Sequence, residues 1–202
     1  MKTRIYERGV HTFYDDLSTF LCNTASLGIA ITALKNSGYG GFAGDPQHYF
    51  EFEGCRVQKV FTWRPHASLL LVANDQWPSK IELTEDASVH VSGGPRIGSL
   101  MGIVATSLGA AFVRYFESRH DEICARYGDQ PYLWPDELNF SRVIRNAVAH
   151  GGKISFQNPK AGEVRWMGIA YSPADNGREI VFRDIGLVEP ILLMEEIDSR
   201  LR

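Results

Sequence analysis

Asp136-Glu137-Leu138-Asn139-Phe140-Ser141-Arg142-Val143-Ile144-Arg145-Asn146-Ala147-Val148-Ala149-His150-Gly151-Gly152 reads as one complete helix with its own stop signal. Phe140, Val143, Ile144, Ala147 and Val148 fall on one side at helical spacing, which is the face expected to meet a core. At about 100° per residue, Arg145, Arg142, Asn146 and His150 form a basic stripe about 140° wide on the opposite side. Asp136 is a good N-cap type, and the two glycines favour a left-handed C-terminal cap.

Outward from this helix, the chain reads mostly as further helices. Residues 96–127 carry Ile97, Leu100, Met101, Val104, Leu108, Ala111, Phe112, Tyr115, Phe116 and Ile123 at helical spacing after Pro95, which suits the first turn. Residues 6–36 carry Val10, Phe13, Tyr14, Leu17, Phe20, Leu21, Ile31 and Leu34 in the same way, with Gly38 as a stop. Between these helices, residues 48–91 shift to short apolar and β-branched runs at 49–52, 57–63, 69–72, 81–83 and 89–91, broken by Gly54, Pro65 and Pro78. They read as a small inserted antiparallel sheet. Short strands at 153–156, 164–171 and 180–183 read as a hairpin, followed by a last helix past Pro190. The expected architecture is a mainly α helical bundle with a small β insertion at 48–91 and a C-terminal β-hairpin, in a single domain over residues 1–202.

Composition bounds the function. The chain of 202 residues is 44% hydrophobic and 22% charged, enough to bury a core without staples. Cys22, Cys55 and Cys124 are an odd number at wide spacing, which suggests neither a disulfide framework nor a zinc knuckle. With no export signal at the amino terminus, a cytoplasmic setting is expected. Residues 97–113 are nearly uncharged, yet they are short for a bilayer and contain Ser99, Thr106 and Ser107, so a buried helix is expected and no membrane. A net charge of −3 excludes a generally basic nucleic-acid coat, but between Glu137 and Glu163 there is no acid, only Arg142, Arg145, Lys153, Lys160 and His150.

These residue types suit RNA phosphodiester chemistry. Histidine titrates near neutrality and can take a proton from a ribose 2′-hydroxyl or give one to the leaving oxygen. Arginine keeps its charge and offers a fork of donors to a phosphate as negative charge builds. Asn146, four residues before His150, can orient the imidazole or bind a phosphate oxygen. One histidine does not easily serve as acid and base at once, so either Arg145 contributes mainly electrostatics or a second copy completes the site. The same residues also suit a solvated helix face, because the helix dipole favours a histidine in the last turn.

Arg145-Asn146-x-x-x-His150-Gly151 resembles the signature of the HEPN superfamily: an arginine followed by a polar residue, with a histidine four to six positions after the arginine. The resemblance covers residues 96–202, through Phe140-Ser141-Arg142-Val143-Ile144, Gly152-Lys153-Ile154-Ser155-Phe156, Trp166, the turn at Asp175-Asn176-Gly177 and the last amphipathic helix. It implies a helical bundle whose homodimer brings two motifs to one shared cleft. The implied activity is a metal-independent endoribonuclease of a toxin–antitoxin, phage-defence or RNA-processing system. Arg145 and His150 would be its catalytic pair, Asn146 their polar support, and Arg142 and Lys153 the substrate-binding cations. RNA and an antitoxin or other protein are the implied partners. Some members bind partners or nucleotides without cleaving RNA, so a non-catalytic dimerisation or binding module is the alternative.

No cofactor and no metal is expected. His120 and Cys124, four apart on one helix, would supply two metal ligands, but no second pair completes a site. Gly38-Tyr39-Gly40-Gly41-Phe42-Ala43-Gly44 follows a helix and lacks the Gly-Lys-Ser/Thr ending of a phosphate loop. Trp63, Trp77, Trp134 and Trp166 read as core rings with base stacking as the alternative.

Overall fold

In the computed structural model, residues 2–36, 47, 49–86, 99–157 and 162–202 are described. The glycine-rich stretch at 38–46, the apolar run at 89–91, Pro95 and Lys160 lie outside them. The chain forms two compact units, Met1–Phe52 with Lys59–Val89, and Glu53–Gln58 with His90–Arg202.

The first unit is built on a four-stranded sheet. Its strands are β1 (Lys2–Glu7), β2 (Phe50–Glu53), β3 (Val60–Trp63) and β4 (Lys80–Asp86), in the spatial order β1-β4-β3-β2. β1 runs antiparallel to β4 along its whole length, from Lys2 opposite Glu85 to Glu7 opposite Lys80. The alternation of charged and apolar residues in Lys2-Thr3-Arg4-Ile5-Tyr6-Glu7 is a strand period, and it buries Tyr6 while Glu7 and Ile5 stay exposed. Helix α1 (Tyr14–Asn36) therefore begins later than residue 6. It buries Tyr14, Leu17, Phe20 and Leu21, with Phe13 buried just before its first residue, while Val10 is exposed in the preceding turn. The Tyr6 ring meets Phe13 edge-on at 5.1 Å, and Phe20 meets Phe52 of β2 at 5.8 Å.

The run 69–72 is not a strand. It lies in a short helix, α2 (His66–Ala73), which follows Pro65 and ends where the Asn74 amide donates to the Leu71 carbonyl. Four consecutive apolar residues carry no period, so pattern alone does not separate strand from helix. Leu70, Leu71 and Val72 are left partly exposed.

Three helices carry the second unit: α3 (Ser99–Tyr127), α4 (Asp136–Ala149) and α5 (Val188–Leu201). α3 buries Val104, Leu108, Phe112, Tyr115, Phe116 and Ile123, and α4 buries Leu138, Phe140, Val143, Ile144 and Ala147, as their spacing predicts. α5 is enclosed on nearly every side, with Val188 to Met194 all buried and Pro190 inside its first turn. Two short strands, β5 (Val164–Trp166) and β6 (Ile169–Tyr171), form an antiparallel hairpin around Met167 and Gly168, both left-handed, as a tight two-residue turn requires. Phe140 of α4 stacks on Tyr171 at 5.6 Å and lies 5.5 Å from Trp166, so this hairpin covers the apolar face of α4. The segments at 153–156 and 180–183 make only isolated bridges, Lys153 to Glu179 and Val181 to Ile185.

The architecture is thus mixed α/β, which corrects the expected mainly helical bundle with a minor β insertion. The sheet is not an insertion confined to 48–91, because its edge strand β1 comes from the amino terminus and completes the pairing of β4. No helix among the described residues is long and apolar enough to cross a membrane.

Candidate functional site

α4 presents the motif, and its ends define where each side chain lies. Asp136 and Glu137 occupy the first turn, where negative charge suits the helix dipole, but the capping position itself falls to Pro135 rather than Asp136. At the other end the Gly152 amide donates to the Ala147 carbonyl at 2.7 Å, with Gly151 at φ +83°. This is the six-to-one bond of a Schellman cap, and it makes His150 the capping residue just beyond the last helical turn. His150 is exposed there, and its ring makes no hydrogen bond or ion pair with Arg145 or Asn146 among the described residues.

Arg145 has two side-chain partners. Its Nη1 donates to Asn146 Oδ1 at 2.9 Å, and its Nη2 is ion-paired with Glu117 Oε1 on α3. The side chain is about one-quarter exposed, and its Nε is buried without an acceptor among the described residues. The helices approach closely enough for this pair because residue 109 is glycine: a Cβ there would lie 2.7 Å from Val148 Cγ1. Two turns further along α3, Glu117 stands beside Arg145.

Arg142 behaves differently. Both its Nε and Nη2 donate to Asn139 Oδ1 one turn earlier, at 3.1 and 3.0 Å, and burial holds its guanidinium below the usual arginine range. Its donors serve its own helix. Lys153 is exposed in the segment after the two glycines. The structure therefore joins Arg145 to Asn146, sets Arg142 apart on Asn139, and leaves His150 and Lys153 exposed beyond the helix end.

An apolar groove of about 470 Å³ runs beside this end of α4, between Ala105, Ala110 and Val113 of α3 and the Ala149–Gly152 turn, with Val181 and Phe182 opposite. A second cleft, of about 510 Å³, lies at the far end of α4 and is lined by Asp136, Glu137, Glu196 and the hairpin turn.

Glu117 is the residue that sequence reasoning missed. The window from 138 to 162 contains no acid, but the carboxylate that neutralises Arg145 comes from another helix, and one sequence carries no signal for such a pair. A second missed constellation lies at Asp184 and Glu189. Asp184 Oδ1 accepts from Arg56 Nε at 2.8 Å, and Oδ2 accepts from Arg178 Nη2 at 2.6 Å and Tyr171 Oη at 3.2 Å. Glu189 accepts from the backbone amides of Arg56, Val57 and Gly186 at 2.9, 3.1 and 2.8 Å. Burial, then the neighbouring Glu189 and Asp184 charges, push the Cys55 thiol up to about 12, which makes it a poor nucleophile.

No family model, curated protein or solved structure matches the chain. Among the described residues, no three His, Cys, Asp or Glu side chains are grouped as a metal ion would need. His120 and Cys124 do meet, with Sγ 3.7 Å from Nε2, and the His120 ring lies edge-on to Trp134 at 6.0 Å.

Proposed function

We propose that this chain is a HEPN-type, metal-independent endoribonuclease that acts as a cytoplasmic homodimer on single-stranded or loop RNA, within a toxin–antitoxin or phage-defence system. The observation that carries the reading is the state of Arg145. Its guanidinium is oriented by Asn146 and Glu117 and not left as a solvated surface charge, while an exposed imidazole stands at the end of the same helix. An oriented cation and an exposed imidazole on one helix supply the two kinds of group that phosphodiester transesterification needs.

In that chemistry His150 takes the proton from a ribose 2′-hydroxyl, and the 2′-oxygen attacks the adjacent phosphorus. The bond from phosphorus to the 5′-oxygen breaks, leaving a 2′,3′-cyclic phosphate on one fragment and a 5′-hydroxyl on the other. Arg145 stabilises the charge that builds on the phosphoryl oxygens. The proton needed by the leaving 5′-oxygen comes from the second copy's motif, which gives the dimer its chemical reason. Lys153 supplies a further cation for the RNA backbone.

A second reading is favoured by the same ion pair. Because Arg145 is already neutralised by Glu117, the motif also suits a binding module that docks a nucleotide, RNA or an acidic protein such as an antitoxin without cleaving anything. Incubating the purified protein with total RNA in excess chelator separates the two. The nuclease reading expects cleavage by the parent and at least about a hundredfold less by Arg145→Ala and His150→Ala, each checked for folding and oligomeric state. Equal cleavage by all three contradicts it, and no cleavage by any favours the binding module.

A further inference from the structure

Arg145 offers five N–H donors in a planar fork, and the structure accounts for each edge of it. Nε is buried and faces no acceptor, so it is out of reach of an incoming ligand. Nη1 is held by Asn146, its immediate neighbour on the same helix. Nη2 is held by Oε1 of Glu117, whose side chain is nearly half exposed. The two partners differ in kind. Asn146 is neutral and fixes orientation, whereas Glu117 is a partly solvated anion paired with the one group in the motif that is permanently positive.

We infer that Glu117 is an internal competitor for the anion site of Arg145: it holds the guanidinium in place when no ligand is bound and must yield Nη2 when a phosphodiester arrives. This rests on the proposed reading of Arg145 as the phosphate-holding group and adds the residue that sets its affinity. Exchange is feasible because the pair is partly exposed, with Glu117 nearly half in solvent, so its attraction is screened and the carboxylate can swing into water at little cost. A phosphate adds a second oxygen for the remaining Nη1 hydrogen, which a single Glu117 oxygen does not use. Left nearby, the displaced carboxylate still repels the bound phosphate, so Glu117 weakens RNA binding while keeping Arg145 ready for it.

The test uses a fluorescein-labelled, fully 2′-O-methylated single-stranded RNA decamer, which lacks the attacking hydroxyl and so reports binding independently of cleavage. Anisotropy titrations in chelator compare the full-length parent with Glu117→Gln, Glu117→Ala, Arg145→Ala and the double variant Glu117→Gln/Arg145→Ala. The expected result is a Kd lowered roughly tenfold by Glu117→Gln, a similar gain with Glu117→Ala, and no gain in the double variant relative to Arg145→Ala. A merely structural partner would not raise affinity when removed. Unchanged or weaker binding in both single variants overturns the inference, as does a gain that persists without Arg145, which would mark a general charge effect. Absence of RNA binding by any variant also overturns it. If Glu117→Gln tightens binding as expected but the parent never cleaves ordinary RNA, the inference stands and the nuclease reading falls.

Discussion

Two charged clusters of the second unit treat their groups in opposite ways. At Asp184 and Glu189 every carboxylate oxygen is used: two arginines and a tyrosine converge on one group, and three backbone amides on the other. Both acids are fully buried. At Arg145 the cation has two partners, one of them half-exposed, and the histidine five residues on has none among the described residues. A closed cluster spends its interactions on the fold, while an open one keeps donors and a titratable ring for something outside the chain. On the proposed reading the first cluster serves the fold and the second serves RNA, and each half of that contrast makes its own prediction.

The largest effect on stability should come from the closed cluster. Asp184→Ala leaves Arg56, Arg178 and the buried Tyr171 hydroxyl without their shared acceptor, and because both arginines are half-exposed and can return to water it should cost about 2–3 kcal/mol in urea unfolding. A loss below about 1 kcal/mol would show that the cluster is not structural. Arg145→Ala and His150→Ala, by contrast, should each change stability by less than about 1 kcal/mol, because Glu117 and the helix end return to water. A larger loss from Arg145→Ala would move the motif into the structural class.

A smaller and more discriminating effect is the dependence on pH of two buried carboxylates. Burial pushes the Glu189 carboxyl above its usual range despite its backbone hydrogen bonds. For Glu85 of β4, burial also raises the value, but hydrogen bonds from Lys59 and Arg4 outweigh it and hold the carboxyl below that range. The native state therefore binds the Glu189 proton more tightly than the unfolded chain, and this contribution is full below the unfolded carboxylate value and lost as pH rises through the folded one. Glu85 works in reverse: its contribution is present above the unfolded value and lost as pH falls through the lower folded one. Amide hydrogen exchange should thus show β1 and β4 loosening on acidification, an effect removed by Glu85→Gln. Glu189→Gln should flatten the opposite trend around α5. Identical pH trends in both regions would contradict these assignments.

What the sequence disclosed follows the strength of each local pattern. α4 could be read almost to the residue because its apolar and basic faces are cleanly divided and two glycines end it. β1 was hidden because six residues at the start of a chain alternate too briefly to stand out before a long helix, and its partner β4 lies far along the chain. α2 was hidden because an unbroken apolar run has no period. The candidate residues themselves were legible as a spacing, Arg145 to His150. Their electrostatic setting was not, since Glu117 reaches Arg145 only across the α3–α4 contact that Gly109 permits.

On the proposed reading Arg145 and His150 act together on RNA. The most direct measurement is the chemistry of the ends produced when the purified parent cuts a defined single-stranded RNA in excess chelator, read by mass spectrometry beside Arg145→Ala. The expected ends are 2′,3′-cyclic phosphate and 5′-hydroxyl from the parent, with their yield reduced at least about a hundredfold in the variant. Ends carrying a 5′-phosphate and a 3′-hydroxyl, or the same cyclic ends at undiminished rate without Arg145, would contradict it.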